Sequence, residues 1–449
     1  MSVLSGTFTV LLLSYLILVL GHLAAQIYYA RRTHQRASRQ PAAGAPGSLD
    51  CPPSIGSLPS VDVIIPCYNE DPLVLTECLR SVASQDYQGK LAIYLVDDGS
   101  RNRDGLSGVY DAYADDPRFT FILLPRNVGK RKAQVAAIRQ STGDLVINID
   151  SDTTIQPDVA RKLAAAMADP GVGAAMGHMV ASNAKATWLT RMINMEYWIA
   201  CNQERAAQAM FGAVICCCGP CAVYRRSVLL EVLDQYETQF FRGRPSDFGE
   251  DRHLTILILK TGRRTVYVPD AEAATLVPER IRPYLRQQLR WARSTYRDTL
   301  LAIRLLSRFG PYLTLDVIAQ NVAPLLLGLT ILTGLALVAA TASIPWWSVA
   351  ALTGLALANC SYGAWHNRTT TFFTFALHDF IKIGLLLPLK VYALCTLGNT
   401  NWGSRTIPAT LRPPTLRPPT AAGATKLPRP ALNAPANDNH GRNQEVLSQ

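Results

Sequence analysis

Charge is scarce in this 449-residue chain. Only 17% of its residues are Asp, Glu, Lys or Arg, whereas 49% are hydrophobic. That balance excludes a charge-solvated disordered polymer and points to apolar runs long enough for a bilayer. Basic residues are missing from the first ten positions, so the apolar run that follows lacks the positive leader of a cleavable signal peptide. There is no GxxxxGK[ST] loop and no zinc-finger or RRM signature, so neither a Walker-type nucleotide site nor nucleic-acid binding is expected, despite the net charge of +11. Evenly spaced cysteines are also lacking. Ten are present, three of them consecutive, which argues against a small disulfide scaffold and for a reducing compartment.

What is present begins with TFTVLLLSYLILVLGHLAAQIYY (7–29), followed by Arg31 and Arg32. Its length predicts a membrane-crossing helix, and the positive-inside rule sets the N-terminus outside and the following chain in the cytoplasm. Residues 1–34 are thus expected to be an anchor and 35–60 a linker rich in small residues and proline. A second apolar block, 311–402, holds VAPLLLGLTILTGLALVAATA (322–342) and WWSVAALTGLALANCSYGAW (346–365), which read as two spans joined by a tight turn. A third run, 371–398, is interrupted by His378, Asp379, Lys382 and Lys390, and is a weaker crossing. Residues 403–449 carry a tandem TLRPP and too few apolar residues for a core.

Between the apolar blocks, residues 61–280 alternate β-rich runs (61–65, 91–96, 119–124 and 145–149) with stretches of helical spacing, the pattern of a largely parallel α/β sheet. Ligands in such sheets sit beyond the carboxyl ends of the strands. There the sequence is acidic: Asp97-Asp98-Gly99-Ser100 follows one strand and Asp150-Ser151-Asp152 another. Each alone reads as a turn or a cap. Together, two such sites in one sheet favour a hard divalent cation that bridges to substrate phosphates. Between them lies Asn127-Val128-Gly129-Lys130-Arg131-Lys132. Cations at a helix N-terminus oppose the helix dipole unless an anion is held there, so this stretch favours a diphosphate. Gly249-Glu250-Asp251 reads either as an acidic helix start or as a catalytic carboxylate positioned to take a proton from a hydroxyl.

In residues 281–310, Arg282, Arg286, Arg290, Arg293 and Arg297 form a stripe at helical spacing, one position behind an apolar stripe. An amphipathic helix lying along the lipid interface is expected. That expectation leaves Gln287-Gln288-x-Arg290-Trp291 without a role. Cys218-Gly219-Pro220-Cys221 has the CxxC spacing of a dithiol redox centre, and a membrane-anchored thiol oxidoreductase is the reading it supports from another class.

VDDGS, DSD, GED and QQLRW in this order resemble the processive family 2 glycosyltransferases, which include cellulose, chitin and hyaluronan synthases. DPRFTFILLPRNVGKRKAQ, MEYWIACNQERAAQ and SDFGEDRHLTILILKTG are similar to the NodC group, the rhizobial chitooligosaccharide synthases of nodulation-factor assembly, over about residues 10 to 405. The resemblance implies an α/β GT-A (Rossmann-like) domain with N- and C-terminal transmembrane helices in a bacterial inner membrane, its catalytic domain cytoplasmic. It also implies inverting transfer from UDP-N-acetylglucosamine to a growing β-1,4-linked N-acetylglucosamine oligomer, with Mg²⁺ or Mn²⁺ as cofactor and chitooligosaccharide-modifying enzymes acting downstream. Hyaluronan synthesis or longer chitin chains are the nearest alternatives.

Carried over by position, Asp97 and Asp98 would contact uridine, with Pro66, Tyr68, Asn69 and Glu70 shaping its pocket. Asp150 and Asp152 would hold the metal, and Lys130 and Arg131 would lie along the diphosphate. Asp251, with Glu250 beside it, would be the general base. Gly219, Pro220, Gln287, Gln288, Arg290 and Trp291 would line the acceptor and pyrophosphate site. In relatives the segment aligned with Cys218-Gly219-Pro220 reads S-G-P or similar, which makes these cysteines small packing residues. Trp402, Gly403 and Arg405 resemble a cytosolic gating loop. Three C-terminal crossings would set that loop outside, so either 371–398 is partly interfacial or re-entrant, or the loop has lost that role.

Overall fold

The four β-rich runs are all strands in the computed structural model, which describes residues 2–39, 58–246 and 248–399. They are β1 (Val61–Cys67), β2 (Leu91–Asp97), β3 (Phe119–Leu123) and β4 (Leu145–Asn148), parallel and ordered β3-β2-β1-β4. The sheet then continues through strands that were not evident from the sequence: β5 (Thr153–Ile155), β6 (Val172–Ala181), β7 (Ala222–Arg225) and, after the small hairpin β8 (Phe240–Phe241) and β9 (Arg244–Pro245), β10 (Arg264–Thr275). Its full order is β3-β2-β1-β4-β7-β6-β10-β5. Strand β7 is antiparallel to both neighbours and β5 is antiparallel to β10.

Both faces of this sheet are covered, so its strands are apolar on both sides. Val63, Ile65, Ile93, Leu95 and Ile147 pack with Leu75 and Leu79 of the helix Pro72–Ala83 and Leu163 of the helix Val159–Ala166. The alternate residues Ile64, Val96 and Val146 face Ala133 and Ala137 of the helix Lys130–Gln140, Leu229 and Val232 of Arg226–Glu237, and Leu254 and Ile258 of Glu250–Lys260.

Three helical stretches among the described residues are long and apolar enough to cross a membrane: Ser2–Ser38, Pro311–Thr341 and Thr370–Cys395. The segment 346–365 does form a helix, Trp346–His366, but it is not among them, because Asn359, Ser361 and the two leading tryptophans dilute its apolar run. The third block is a continuous run of 3-10, α and π turns. Its polar interruptions turn inward or pair: His378 Nε2 lies 3.1 Å from the Tyr284 hydroxyl, and Lys382 pairs with Asp379 at 3.0 Å. The first helix runs to Arg39, past the expected start of the linker at residue 35, since no proline intervenes before Pro41. It packs along Pro311–Thr341, where a Cβ added at Gly334 would stand 2.9 Å from Phe8. It also contacts the sheet-bearing half directly. Thr33 Oγ1 donates to the Ala206 carbonyl at 2.7 Å, and the buried Asp316 carboxylate gathers His22 Nε2 at 2.9 Å and Gln208 Nε2 at 2.8 Å.

Candidate active site

The loops that leave β1, β2 and β4 are tied to one another. Strand β1 outruns its pairing with β4 at Ile64, so Pro66, which has no N–H to donate, lies where that ladder has stopped. Beyond it, Asn69 takes a positive φ of 51°. Its N–H donates to Ser100 Oγ at 2.9 Å and its Oδ1 accepts from the Arg101 N–H at 2.7 Å. Glu70 Oε2 accepts from Ser151 Oγ at 2.7 Å. Tyr68, Asn69 and Glu70 are all half-buried at this rim.

Asp97 and Asp98 have separate duties. Asp97 is fully buried and accepts from Ser100 N–H (2.7 Å), Arg103 Nε (2.8 Å) and Tyr110 OH (3.0 Å). Burial pushes its pKa up, but these donors outweigh burial and hold the carboxyl below its ordinary range. Asp98 accepts from the N–H groups of Val128 (2.7 Å) and Gly129 (2.9 Å) and from Asn127 Nδ2 (2.9 Å). The anion expected at the start of the helix Lys130–Gln140 is therefore supplied by the protein itself. Arg103 and Tyr110 act here unannounced by any sequence motif, and Asn127 serves as a donor to Asp98, a role its stretch did not suggest.

Lys130 and Arg131 part company. Lys130 Nζ donates to Asp150 Oδ1 at 2.7 Å and to Glu250 Oε1 at 2.9 Å. Arg131 turns into the interior, where it donates to the Tyr236 carbonyl (2.7 Å), His253 Nδ1 (2.8 Å) and Gln239 Oε1 (2.7 Å). Since guanidinium only donates, His253 must carry its own proton on Nε2. Burial, and then the charge of Arg131, pull the His253 pKa down to about 3. The placement of Arg131 along a diphosphate is thus corrected: its guanidinium braces the helices behind the cleft.

Glu250 and Asp251 open the helix Glu250–Lys260, where acidic residues suit the dipole. Gly249 precedes them at φ +82°, and a Cβ there would come 2.4 Å from that of Ser294, so glycine lets the GED turn meet the helix Ile281–Ala302. Opposite, a Cβ at Gly219 would stand 2.9 Å from Asp251 Oδ1 and 2.9 Å from Lys130 Nζ. Lys130, Asp150, Gly219, Glu250 and Asp251 therefore meet at one place. Burial raises the Asp251 pKa to about 8; Lys130 opposes the rise, while Glu250, Asp150 and Cys218 add to it. Glu250, though buried, is held below its ordinary value by Lys130.

Asp150 and Asp152 flank the turn after β4, with Asp152 Oδ1 3.3 Å from Thr275 Oγ1 at the end of β10. Three carboxylates, those of Asp150, Glu250 and Asp251, face one ammonium. Asp150 and Asp152 also offer hard carboxylate oxygens after β4, which suit Mg²⁺ or Mn²⁺ with the remaining ligands taken from a diphosphate. Among the described residues no three His, Cys, Asp or Glu side chains are grouped so as to hold a metal ion by themselves.

The arginine stripe does not stay on one face. Arg282 and Arg286 are exposed, whereas Arg293 donates to Thr396 Oγ1 at 2.8 Å and the buried Arg297 stacks 4.2 Å over Phe248. Gln287 Oε1 and Gln288 Nε2 are buried with no protein partner among the described residues; Arg290 is half-buried and Trp291 is 37% exposed. The CxxC pair is no dithiol. Cys221 is buried in the core, where it would crowd a Cβ at Gly177 at 2.6 Å. Cys218 Sγ instead faces Arg205 Nη2 at 3.2 Å and Cys216 Sγ at 3.8 Å. None of the described cysteines forms a disulfide. Trp402, Gly403 and Arg405, the gating-loop candidates, and residues 403–449 lie outside the described residues.

The sequence profile of family 2 glycosyl transferases matches residues 62–233, which contain all of β1 but its first residue and the loops after β2 and β4. The chain belongs to that family and is a glycosyltransferase enzyme with an α/β GT-A fold. More particularly, it is 58% identical over 412 residues to an N-acetylglucosaminyltransferase of Mesorhizobium japonicum, covering 92% of this chain and 95% of that one. It is 64% identical over 363 residues to an N-acetylglucosaminyltransferase of Rhizobium sp. strain N33, covering 80% of each. Among solved structures, a Pyrobaculum calidifontis mannosyltransferase in complex with GDP-Man and Mn²⁺ matches at a TM-score of 0.57 and 26% identity, covering 83% of this chain and 98% of that one.

Proposed function

We propose that the enzyme moves N-acetylglucosamine from UDP-N-acetylglucosamine to the 4-hydroxyl of a growing oligomer, inverting the anomeric centre and building short β-1,4 chitooligosaccharides, the backbone of lipo-chitooligosaccharide nodulation factors. The observation that carries this reading is the meeting of Asp251, Lys130, Asp150 and Glu250 against Gly219. Asp251, its proton affinity raised by burial, takes the proton from the attacking hydroxyl as that oxygen bonds the anomeric carbon and UDP leaves. Lys130 turns its ammonium toward the phosphate oxygens where negative charge grows. Asp150 and Asp152 would hold Mg²⁺ or Mn²⁺, which when bound supplies further charge stabilisation to the diphosphate. Asp97, Asp98, Pro66, Tyr68, Asn69 and Glu70 form the uridine end, and Gln287, Gln288, Arg290, Trp291 and Pro220 the acceptor end. The relatives' names support the sugar. The three long apolar helices support residence in the bacterial inner membrane, with the sheet domain in the cytoplasm.

Membranes containing the full chain, incubated with radiolabelled UDP-N-acetylglucosamine and Mg²⁺, are expected to yield short chitinase-sensitive oligosaccharides, and none after chelation. No product there, with product from another nucleotide sugar, overturns the substrate; long chains, or hyaluronidase-sensitive product once UDP-glucuronic acid is also supplied, overturn the oligomer.

A further inference from the structure

Three consecutive cysteines sit beside the candidate base, and their thiols differ in surroundings. Cys217 is fully buried, its N–H donating to Thr255 Oγ1 at 2.9 Å. Cys216 and Cys218 are half-buried and turn the same way, their Sγ atoms 3.8 Å apart. Arg205, in the π-helical turn Ala200–Arg205, reaches both: Nη2 donates to Cys218 Sγ at 3.2 Å and Nε to the Cys216 carbonyl at 3.4 Å. A guanidinium on a thiol favours its thiolate, the form that attacks peroxides. The hydrogen bond from Cys216, and then Arg205, hold the Cys218 pKa below the ordinary thiol range.

The next residue is Gly219, packed so closely that a methyl group there would contact both Asp251 and Lys130. Any pull on Cys218 is passed to a residue that stands directly against the Asp251 carboxylate and the Lys130 ammonium.

We propose that Cys218 is a hydroperoxide-sensitive thiol with Cys216 as its resolving partner, and that closing their disulfide shuts off sugar transfer by dragging Gly219 against Asp251. The Cys218 thiolate attacks the peroxide: an S–O bond forms, the O–O bond breaks, and the leaving hydroxide takes a proton to become water. The Cys216 sulfur then attacks the resulting sulfenic acid: the S–S bond forms, the S–O bond breaks, and the thiol proton leaves with the oxygen as a second water. Two thiols and one hydrogen peroxide give one disulfide and two waters. A bridge across a single intervening residue is strained, so it is easily reduced and suits a reversible switch.

The experiment treats the full-length enzyme in membranes with hydrogen peroxide, then alkylates it under denaturing conditions, reads the 216–218 peptide by mass spectrometry, and measures transfer in parallel. The thiol readout does not depend on which sugar is carried, so failure of the substrate reading leaves it intact. Expected is a peptide two hydrogens lighter with only Cys217 alkylated, transfer lowered by roughly 10²-fold as a misplacement of about 1 Å would cause, and both reversed by dithiothreitol. In Cys216→Ser, Cys218 should instead accumulate as a dimedone-trappable sulfenic acid. Two results overturn the proposal: a Cys218 that stays a thiol under peroxide, or a Cys216–Cys218 disulfide that forms with transfer unchanged.

Discussion

Gly219 and Asp251 are in such close apposition that a Cβ at residue 219 would stand 2.9 Å from one carboxylate oxygen and 3.0 Å from the other. No side chain fits there unless the carboxylate moves. Gly219→Ala is expected to lower the turnover of sugar transfer by roughly 10²-fold, the scale of a 1 Å misplacement at a reacting centre, while leaving the melting temperature nearly unchanged. Steady-state kinetics beside a thermal melt checks both.

Asp251 should give the transfer rate a pH limb. A base must be ionised to work, and burial raises its pKa to about 8, so kcat/KM is expected to climb with pH and level off near that value. Glu250 is one of the groups that raise it, so Glu250→Gln should move the limb to lower pH. A profile that is flat from pH 6 to 9 would remove Asp251 from the role, with pH steps of about one unit sufficient to see it.

The same raised pKa has a cost in stability. Folded Asp251 binds its proton more tightly than the unfolded residue, so its contribution is full below the ordinary carboxyl pKa and is lost as pH rises through about 8. Asp251→Asn should therefore melt a few degrees higher than the parent at pH 8 and not at pH 4, while transfer falls by roughly 10²- to 10⁴-fold. Melting of the detergent-solubilised chain at the two pH values tests the sign.

Lys130 and Arg131, adjacent in sequence, should fail differently. Lys130→Ala removes the ammonium between Asp150 and Glu250 and is expected to depress transfer with the fold retained. Arg131→Ala leaves the Tyr236 carbonyl, His253 Nδ1 and Gln239 Oε1 without their donor, at about 1–3 kcal/mol for each buried group left unsatisfied. Lower yield and an earlier melt are expected, and Arg131→Lys should not restore them because an ammonium cannot reproduce the planar fork.

Gly249→Ala should be as damaging to the fold as to activity. It meets Ser294 at 2.4 Å and also holds a φ of +82°, so Ser294→Gly in the same chain relieves the first conflict and not the second. Partial recovery of the melting temperature in the double variant is the expected result.

The β1–β4 half of the sheet was legible because its strands are short β-rich apolar runs, with acidic residues at the ends of β2 and β4. The other half was not. Strand β6 is mostly Gly, Ala and Met, β7 has four residues, and both owe their strand form to neighbours far along the chain. Which way Lys130 and Arg131 point could not be read either, since consecutive helical residues diverge by about 100° and packing alone decides which one enters the core. The CxxC spacing was compatible with a dithiol until Cys221 was seen at the root of β7, turned into the interior, with Cys216 as the real neighbour of Cys218.

Asp316 binds the catalytic half, the first helix and the second apolar block into one polar knot. Its partner His22 lies 294 positions earlier. During synthesis, then, His22 of the opening helix lacks this partner until about seven-tenths of the chain has been made, whereas Thr33 and Gln26 meet theirs near residues 203–206 much earlier. A sheet half cut away from both helices would inherit an orphaned Gln208 Nε2 and exposed apolar flanks, so the two long helices complete the fold of the half that they brace.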